Sequence, residues 1–228
     1  TELRDAKSAD EALNKLAALV KDVTIGETTY KQSITAKCLT TFSLTAQSAD
    51  KTVKDTYTFN WMDINPNMAK LDVTGDKMIM NLPMLDKKKL VNHYKDEKIS
   101  AFEDDASIYV ENMEVGRRVR ALADKAINYC KSGYKVPFPA TTEGTVNWIK
   151  SKVGDVTVEI TTVKQVMEFA EPGNINKIKL TSTEIKTSAS PEEVFEFNLG
   201  DINPLSVDYS ASGKWLRVRF ETNFKNKI

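Results

Sequence analysis

Few side chains in this chain have the type and spacing to do chemistry. The single histidine, His93, lies in Lys89-Leu90-Val91-Asn92-His93-Tyr94, a strand-like stretch. A histidine-centred triad has this one candidate, and no Gly-x-Ser-x-Gly turn accompanies it. His93 reads as an exposed strand residue. Asp63 and Asp201 are carboxylates of the kind that perform acid–base work, and a hydrolase using either is the weakest functional reading. Each stands in Asp-Ile-Asn-Pro, where an Asp bonds the backbone two residues on and the residue before Pro is held extended. Turn formation accounts for them better. Glu103-Asp104-Asp105 offers oxygen ligands for a hard cation, but it lacks the EF-hand spacing and its Gly, so it reads as a solvated acidic loop. There is no His-Glu-x-x-His, Cys-x-x-Cys, Walker loop or Gly-x-Gly-x-x-Gly. No catalytic residue, metal or cofactor is therefore expected.

Charge gives one candidate binding site. Lys87-Lys88-Lys89, joined by Lys225 and Lys227 at matching positions, is the candidate anion-binding set, with a lipid headgroup as its ligand. Asp86, Asp96 and Glu97 dilute it, and lysines on a strand edge also block unwanted pairing, which is the favoured reading. Arg117, Arg118 and Arg120 read as the solvated side of a helix, beside Glu111 and Glu114. With Lys plus Arg and Asp plus Glu equal at 32 each, no nucleic-acid partner is expected. Trp61, Trp148 and Trp215 do not recur at matching positions; core packing is their default, and an exposed one would mark a groove.

The elements that position these residues repeat. Phe59-Asn60-Trp61-Met62-Asp63-Ile64-Asn65-Pro66 returns as Phe197-Asn198-Leu199-Gly200-Asp201-Ile202-Asn203-Pro204, at an offset of 138 that also pairs Gly75 with Gly213. Earlier in the chain the offset is 133: Asp22-Val23-Thr24 matches Asp155-Val156-Thr157, and Gln32 matches Gln165. Glu171-Pro172-Gly173-Asn174 is the expected site of the longer hairpin loop. This is the pattern of a tandem duplication. Ser8 and Glu11 form a capping box before a helix whose Ala12, Leu13, Leu16 and Val20 share one face. Its second copy is expected over 145–153, burying Val146, Ile149 and Val153. Strands are expected near 27–36, 38–46, 53–62, 68–74, 77–82, 88–94 and 105–110. Gly75 and Gly213 are expected at positive φ in their hairpins. A helix over 113–130 closes the first unit on Val115, Val119, Leu122, Ala126 and Tyr129.

The organisation expected is α+β: a first repeat over 1–133, a linker over 134–142 and a second repeat over 143–228. Each repeat is a helix plus an antiparallel sheet or partly open barrel. The second repeat ends at the counterpart of Leu90, so the natural chain is expected to continue for about forty residues, unless its tail is disordered or trimmed. Cys38 and Cys130 fit no metal-ligand spacing. Two buried free thiols are favoured over a single disulfide of an oxidising compartment. By the offset, Cys38 aligns with Glu171. No apolar run approaches the roughly 18 residues of a membrane-spanning helix.

Tyr57-Thr58-Phe59-Asn60 with Asp63-Ile64, then Met78-Ile79-Met80, then Ser107-Ile108-Tyr109-Val110 before the helix, resembles the second half of a pleckstrin-homology-like domain. That resemblance implies about seven strands closed by a C-terminal helix. The Lys- and Asn-rich, Arg-poor repeats are similar to uncharacterised bacterial envelope proteins, which implies a periplasmic or extracellular location, with the cytoplasm as the alternative. The leading functional expectation is a non-enzymatic interaction or scaffold protein binding a protein or polymer through a sheet edge or inter-domain cleft. Second comes a peripheral module with weak membrane-surface contact through Lys87–Lys89.

Overall fold

The computed structural model describes residues 6–133, 139–185 and 190–223. The chain divides into two compact units, Thr1–Tyr134 with Ala211–Lys214, and Lys135–Ser210 with Trp215–Ile228. The fold is α+β, with three helices and several antiparallel sheets among the described residues, none closed into a barrel.

The first unit opens on α1 (Ala9–Leu19). Ser8 Oγ accepts the Glu11 N–H at 3.2 Å, and Glu11 Oε2 accepts the Lys7 N–H at 2.9 Å, so the two side chains satisfy donors that no helical carbonyl reaches. The helix then buries Ala12, Leu13 and Leu16. A fully buried Leu contributes about 1.5–3 kcal/mol. Nine strands follow: β1 (Val23–Ile25), β2 (Thr28–Ile34), β3 (Leu39–Gln47), β4 (Thr52–Asn60), β5 (Lys70–Thr74), β6 (Lys77–Pro83), β7 (Val91–Lys95), β8 (Lys98–Glu103) and β9 (Asp105–Tyr109). They form a six-stranded sheet in the order β1-β2-β3-β4-β7-β8 and a three-stranded sheet in the order β5-β6-β9. Strand β8 was not expected; its Lys98 and Glu103 ends disguise a short strand that turns back on β7 through Asp96 and Glu97, both at positive φ.

Gln32 ties the two sheets together. Its Nε2 donates to the Tyr109 carbonyl at 3.1 Å, and its Oε1 accepts the Tyr109 N–H at 2.9 Å. The closing helix α2 (Met113–Gly133) packs on α1, on a 3-10 turn at Trp61–Asp63, and on β5 and β6. It buries Val119, Leu122 and Ala126 as expected, while Val115 and Tyr129 are half-buried and Ala123, Ile127 and Cys130 join the core. An ideal Cβ on Gly116 would come within 2.7 Å of Leu71 Cδ2, so the helix approaches β5 at a distance that suits glycine.

The cysteines are bonded: Cys38 and Cys130 form a disulfide with a Cα–Cα separation of 5.6 Å. This corrects the favoured reading of two free thiols. The end of α2 comes down on the β2–β3 connection, a proximity that 92 residues of sequence separation concealed.

The second unit holds α3 (Thr142–Lys150), β10 (Val156–Val158), β11 (Thr161–Phe169), β12 (Lys177–Ile185), β13 (Glu192–Asn198), the start of β14 (Asp208–Ser212) and β15 (Trp215–Arg219), the end of β14 and its turn being grouped with the first unit. Helix α3 starts earlier than expected because Thr141 Oγ1 accepts the Gly144 N–H at 3.0 Å. It buries Val146, but Ile149 is exposed and Val153 half-buried, so the expected stripe is only partly covered. Strands β10 to β13 form one sheet in sequence order, and β14 with β15 a two-stranded one.

Strand registers in the two units correspond. Val23 pairs with Tyr30, and Val156 with Val163; Leu39 pairs with Asn60, and Lys177 with Asn198. Ile64 bridges Met84, and Ile202 bridges Thr222. Trp61 N–H donates to Cys38 O at 2.9 Å and Leu199 N–H to Asn176 O at 2.8 Å, so Asn176, not Glu171, stands where Cys38 stands. The added residues lie before it, in the turn from Phe169 to Lys177 that a 2.6 Å Glu171–Lys177 ion pair closes.

Candidate functional site

The lysine cluster sits on the connection from β6 to β7. A 3-10 turn at Leu85–Lys87 places Asp86 and Lys87 at φ of 54° and 53°. Within it Lys88 N–H donates to Leu85 O at 3.0 Å and Leu90 N–H to Lys88 O at 2.9 Å. A backbone satisfied by its own turn cannot extend a ladder, so the strand begins at Val91 and not near 88. Lys87, Lys88 and Lys89 therefore do not line a strand edge, which corrects the edge-blocking reading. Lys87 and Lys89 are exposed and Lys88 half-buried. Lys225 and Lys227 lie outside the described residues.

His93 is not an exposed strand residue. Its side chain is 12% exposed, because β7 pairs with β4 and lays the imidazole on Tyr57, with ring centroids 4.5 Å apart. Its Nε2 is 2.7 Å from Asp55 Oδ1, and its Nδ1 is 3.5 Å from Glu103 Oε1. Burial, with Asp55 and Glu103 nearby, pushes the Tyr57 hydroxyl up to about 12, so it stays protonated at neutral pH. The acidic run is not a loop either. Glu103 ends β8, and Asp105 begins β9, half-buried, its carboxyl raised by burial and then by Asp104 and Glu103. Among the described residues no group of His, Cys, Asp and Glu side chains is placed to hold a metal ion.

Asp63 and Asp201 each end a 3-10 turn in their own unit. Asp63 is half-buried, and burial raises its carboxyl above the ordinary range. The turn-making bond belongs to neighbouring residues: Asn65 Oδ1 accepts the Asn67 N–H at 3.1 Å, and Asn203 Oδ1 the Leu205 N–H at 3.0 Å. Arg120 also differs from expectation. Its guanidinium donates to the Pro66 carbonyl at 2.6 Å and to the Ala69 carbonyl, clamping α2 onto the chain after that turn. Arg117 keeps the solvated place expected of all three, while Arg118 is half-buried. Trp61 is buried, with its Nε1–H donated to Thr40 Oγ1 at 2.9 Å, whereas Trp148 is exposed on α3.

A shallow groove of about 170 Å³, lined by Asp22, Lys31, Gln32, Ser33, Ser43 and Thr45, is small beside the roughly 300–1,000 Å³ of a small-molecule site.

The second unit offers a different kind of surface. Among the described residues sixteen large apolar side chains are exposed, and eleven of them follow residue 141; of the buried apolar residues only Val146 and Ile178 do. Ala69 and Met80 are buried in the first unit at 5% and 0% exposure. The residues 138 positions on, Val207 and Val218, are 53% and 69% exposed. Alternation in Trp215-Leu216-Arg217-Val218-Arg219-Phe220 puts Leu216 and Val218 on one face and both arginines on the other. At the 138 offset Val207, Leu216 and Val218 align with Ala69, Met78 and Met80, so the repeat marks these positions as apolar; a sheet edge was the binding surface expected, and these side chains had not been named as part of it. Gln32 and Gln165, matched at the 133 offset, had been given no role by the sequence.

No helix among the described residues is long and apolar enough to cross a membrane. Comparison with protein-family models, with curated proteins and with solved structures gives no match.

Proposed function

We propose that this chain is a non-enzymatic interaction protein that binds a polypeptide partner through the sheet edge and apolar face of its second unit. The observation that carries this reading is the exposed apolar face around Val207, Leu216 and Val218. Surfaces of that kind on ordinary domains mark sites of association. A tandem duplication of one α+β unit, with an order of strands and closing helix like that of the pleckstrin-homology-like superfold, is part of the same proposal. Its support is the matching strand registers. An oxidising compartment, periplasmic or extracellular, is proposed on the strength of the Cys38–Cys130 bond.

A photo-crosslinking residue at Leu205 or Val218, introduced in the cells that make the protein, tests the surface. A discrete covalent adduct with one protein is expected from these positions and not from Thr52, on the first unit. Illumination that yields no adduct from either position overturns the reading.

A further inference from the structure

We propose that His93 is a proton-operated latch on the outermost strand of the six-stranded sheet, gripping β8 while the imidazole carries both protons and easing it when one is lost. This goes beyond the interaction reading and depends on no part of the second unit. Strand β8 is the last in the order β1-β2-β3-β4-β7-β8, so β7 alone holds it in that sheet. Its final residue, Glu103, pairs with Val91, after which the chain crosses to the other sheet. There Asp104 O accepts the Met84 N–H at 2.8 Å, and Asp105 pairs with Pro83 on β6. Glu103 therefore stands at the corner where the chain joins the two sheets. The ladder is interrupted before it reaches that corner, because the β7–β8 register shifts between His93 and Tyr94. Such an irregularity disrupts the backbone pairing locally, and side-chain contacts then matter more to the edge.

The His93 ring reaches both neighbours of β7 at once. Its Nε2 lies 2.7 Å from Asp55 Oδ1 on β4, and its Nδ1 lies 3.5 Å from Glu103 Oε1 on β8. An ionised carboxylate only accepts, so both contacts need a proton on the ring, and the imidazolium alone has two. Either neutral tautomer turns a lone pair on one of the carboxylates. The contact given up is that with Glu103. It is the longer one, and its side chain is 42% exposed against 13% for Asp55, so it can turn to water. The Tyr57 ring, stacked 4.5 Å away, keeps the imidazole from following it.

No other group on the packed strands supplies that charge. On β4 the Tyr57 hydroxyl is pushed up to about 12, chiefly by burial, and stays neutral. On β9 Asp105 and Tyr109 lie near Tyr57, and the Asp105 carboxyl adds to the negative side. On β7 itself Lys95 pairs in the register with Asp55 and is exposed. The stability drawn from the latch is present in acid and lost as pH rises through the titration of the imidazole.

With one histidine in the chain, the ring nitrogen resonances report its protonation without overlap. Hydrogen exchange of the full chain, corrected for the intrinsic effect of pH, reads the strand. Between about pH 5.5 and about pH 8, protection of the β8 amides relative to those of β3 is expected to fall about fivefold, in step with the ring. Glu103→Gln should remove the step, since an amide can donate to or accept from either form of the imidazole. His93→Gln should remove it too, and Asp105→Asn should leave it in place, which separates the latch from that carboxyl. Glu103→Gln alters a partly exposed side chain and keeps the test decisive should His93→Gln not fold. A ratio that stays constant while the ring titrates overturns the inference. So does a step that persists in Glu103→Gln or vanishes in Asp105→Asn.

Discussion

Thr40 is one of two buried polar residues among those described, and its hydroxyl accounts for its burial. It lies 2.6 Å from the Lys37 carbonyl and 3.0 Å from that of Thr35, and it accepts the Trp61 indole N–H. The positions 138 residues on are Ile178 and Leu199, apolar at both places, so neither member of the bond is present there. Paired replacement is cheap, whereas removing one member strands the other. Thr40→Val is accordingly expected to cost about 1–3 kcal/mol in denaturant unfolding, because it leaves the indole N–H unsatisfied. Asp105 gives a pH dependence of known sign. Burial and its acidic neighbours raise its carboxyl in the folded chain above 3.8, so the folded state binds more protons and stability falls as pH rises through that window. Asp105→Asn should raise the melting temperature at neutral pH, and the gain should vanish on acidification below pH 3.8. A gain that persists in acid would assign the effect to packing.

Among the elements, the hairpins were the most legible in the sequence. Gly75 and Gly213 sit at the positive φ that their turns require, and the strands flanking Gly75 begin and end within a residue or two of expectation. Local chemistry carries such features, since glycine alone adopts that backbone without a Cβ penalty. The same rule exposes a weak point: Glu159, where the first unit has Gly26, holds a φ of 56°. Glu159→Gly should stabilise the second unit by about 0.5–1 kcal/mol, read from hydrogen exchange in β10 and β11. What depends on distant partners was illegible. His93 reads as exposed until β4 is laid beside β7, and Arg120 reads as solvated until α2 is laid over Pro66–Ala69. The Asp-Ile-Asn-Pro turn was legible as a turn, but the bond that makes it falls to Asn65 and Asn203.

At the scale of the whole chain, burial is unevenly divided. The first unit has its helices, two sheets and a disulfide around one core; among the described residues the second buries little beyond Val146 and Ile178. Cooperativity follows burial. Thermal unfolding should therefore show two transitions, the lower one belonging to the second unit. Reduction should lower only the upper transition, because both cysteines lie in the first unit; loop-closure entropy sets the loss at about 4–5 kcal/mol. A single transition that moves as a whole on reduction would mean the units unfold together.

That bond has a mechanical consequence as well. Cys38 and Cys130 are separated by 92 positions, so a pull transmitted along the backbone passes through sulfur and never loads the segment between them. Stretched to its limit, the oxidised protein falls short of the reduced one by about 300 Å. A covalent shunt of this kind leaves most of the first unit intact under tension that strips away whatever lies outside the ring.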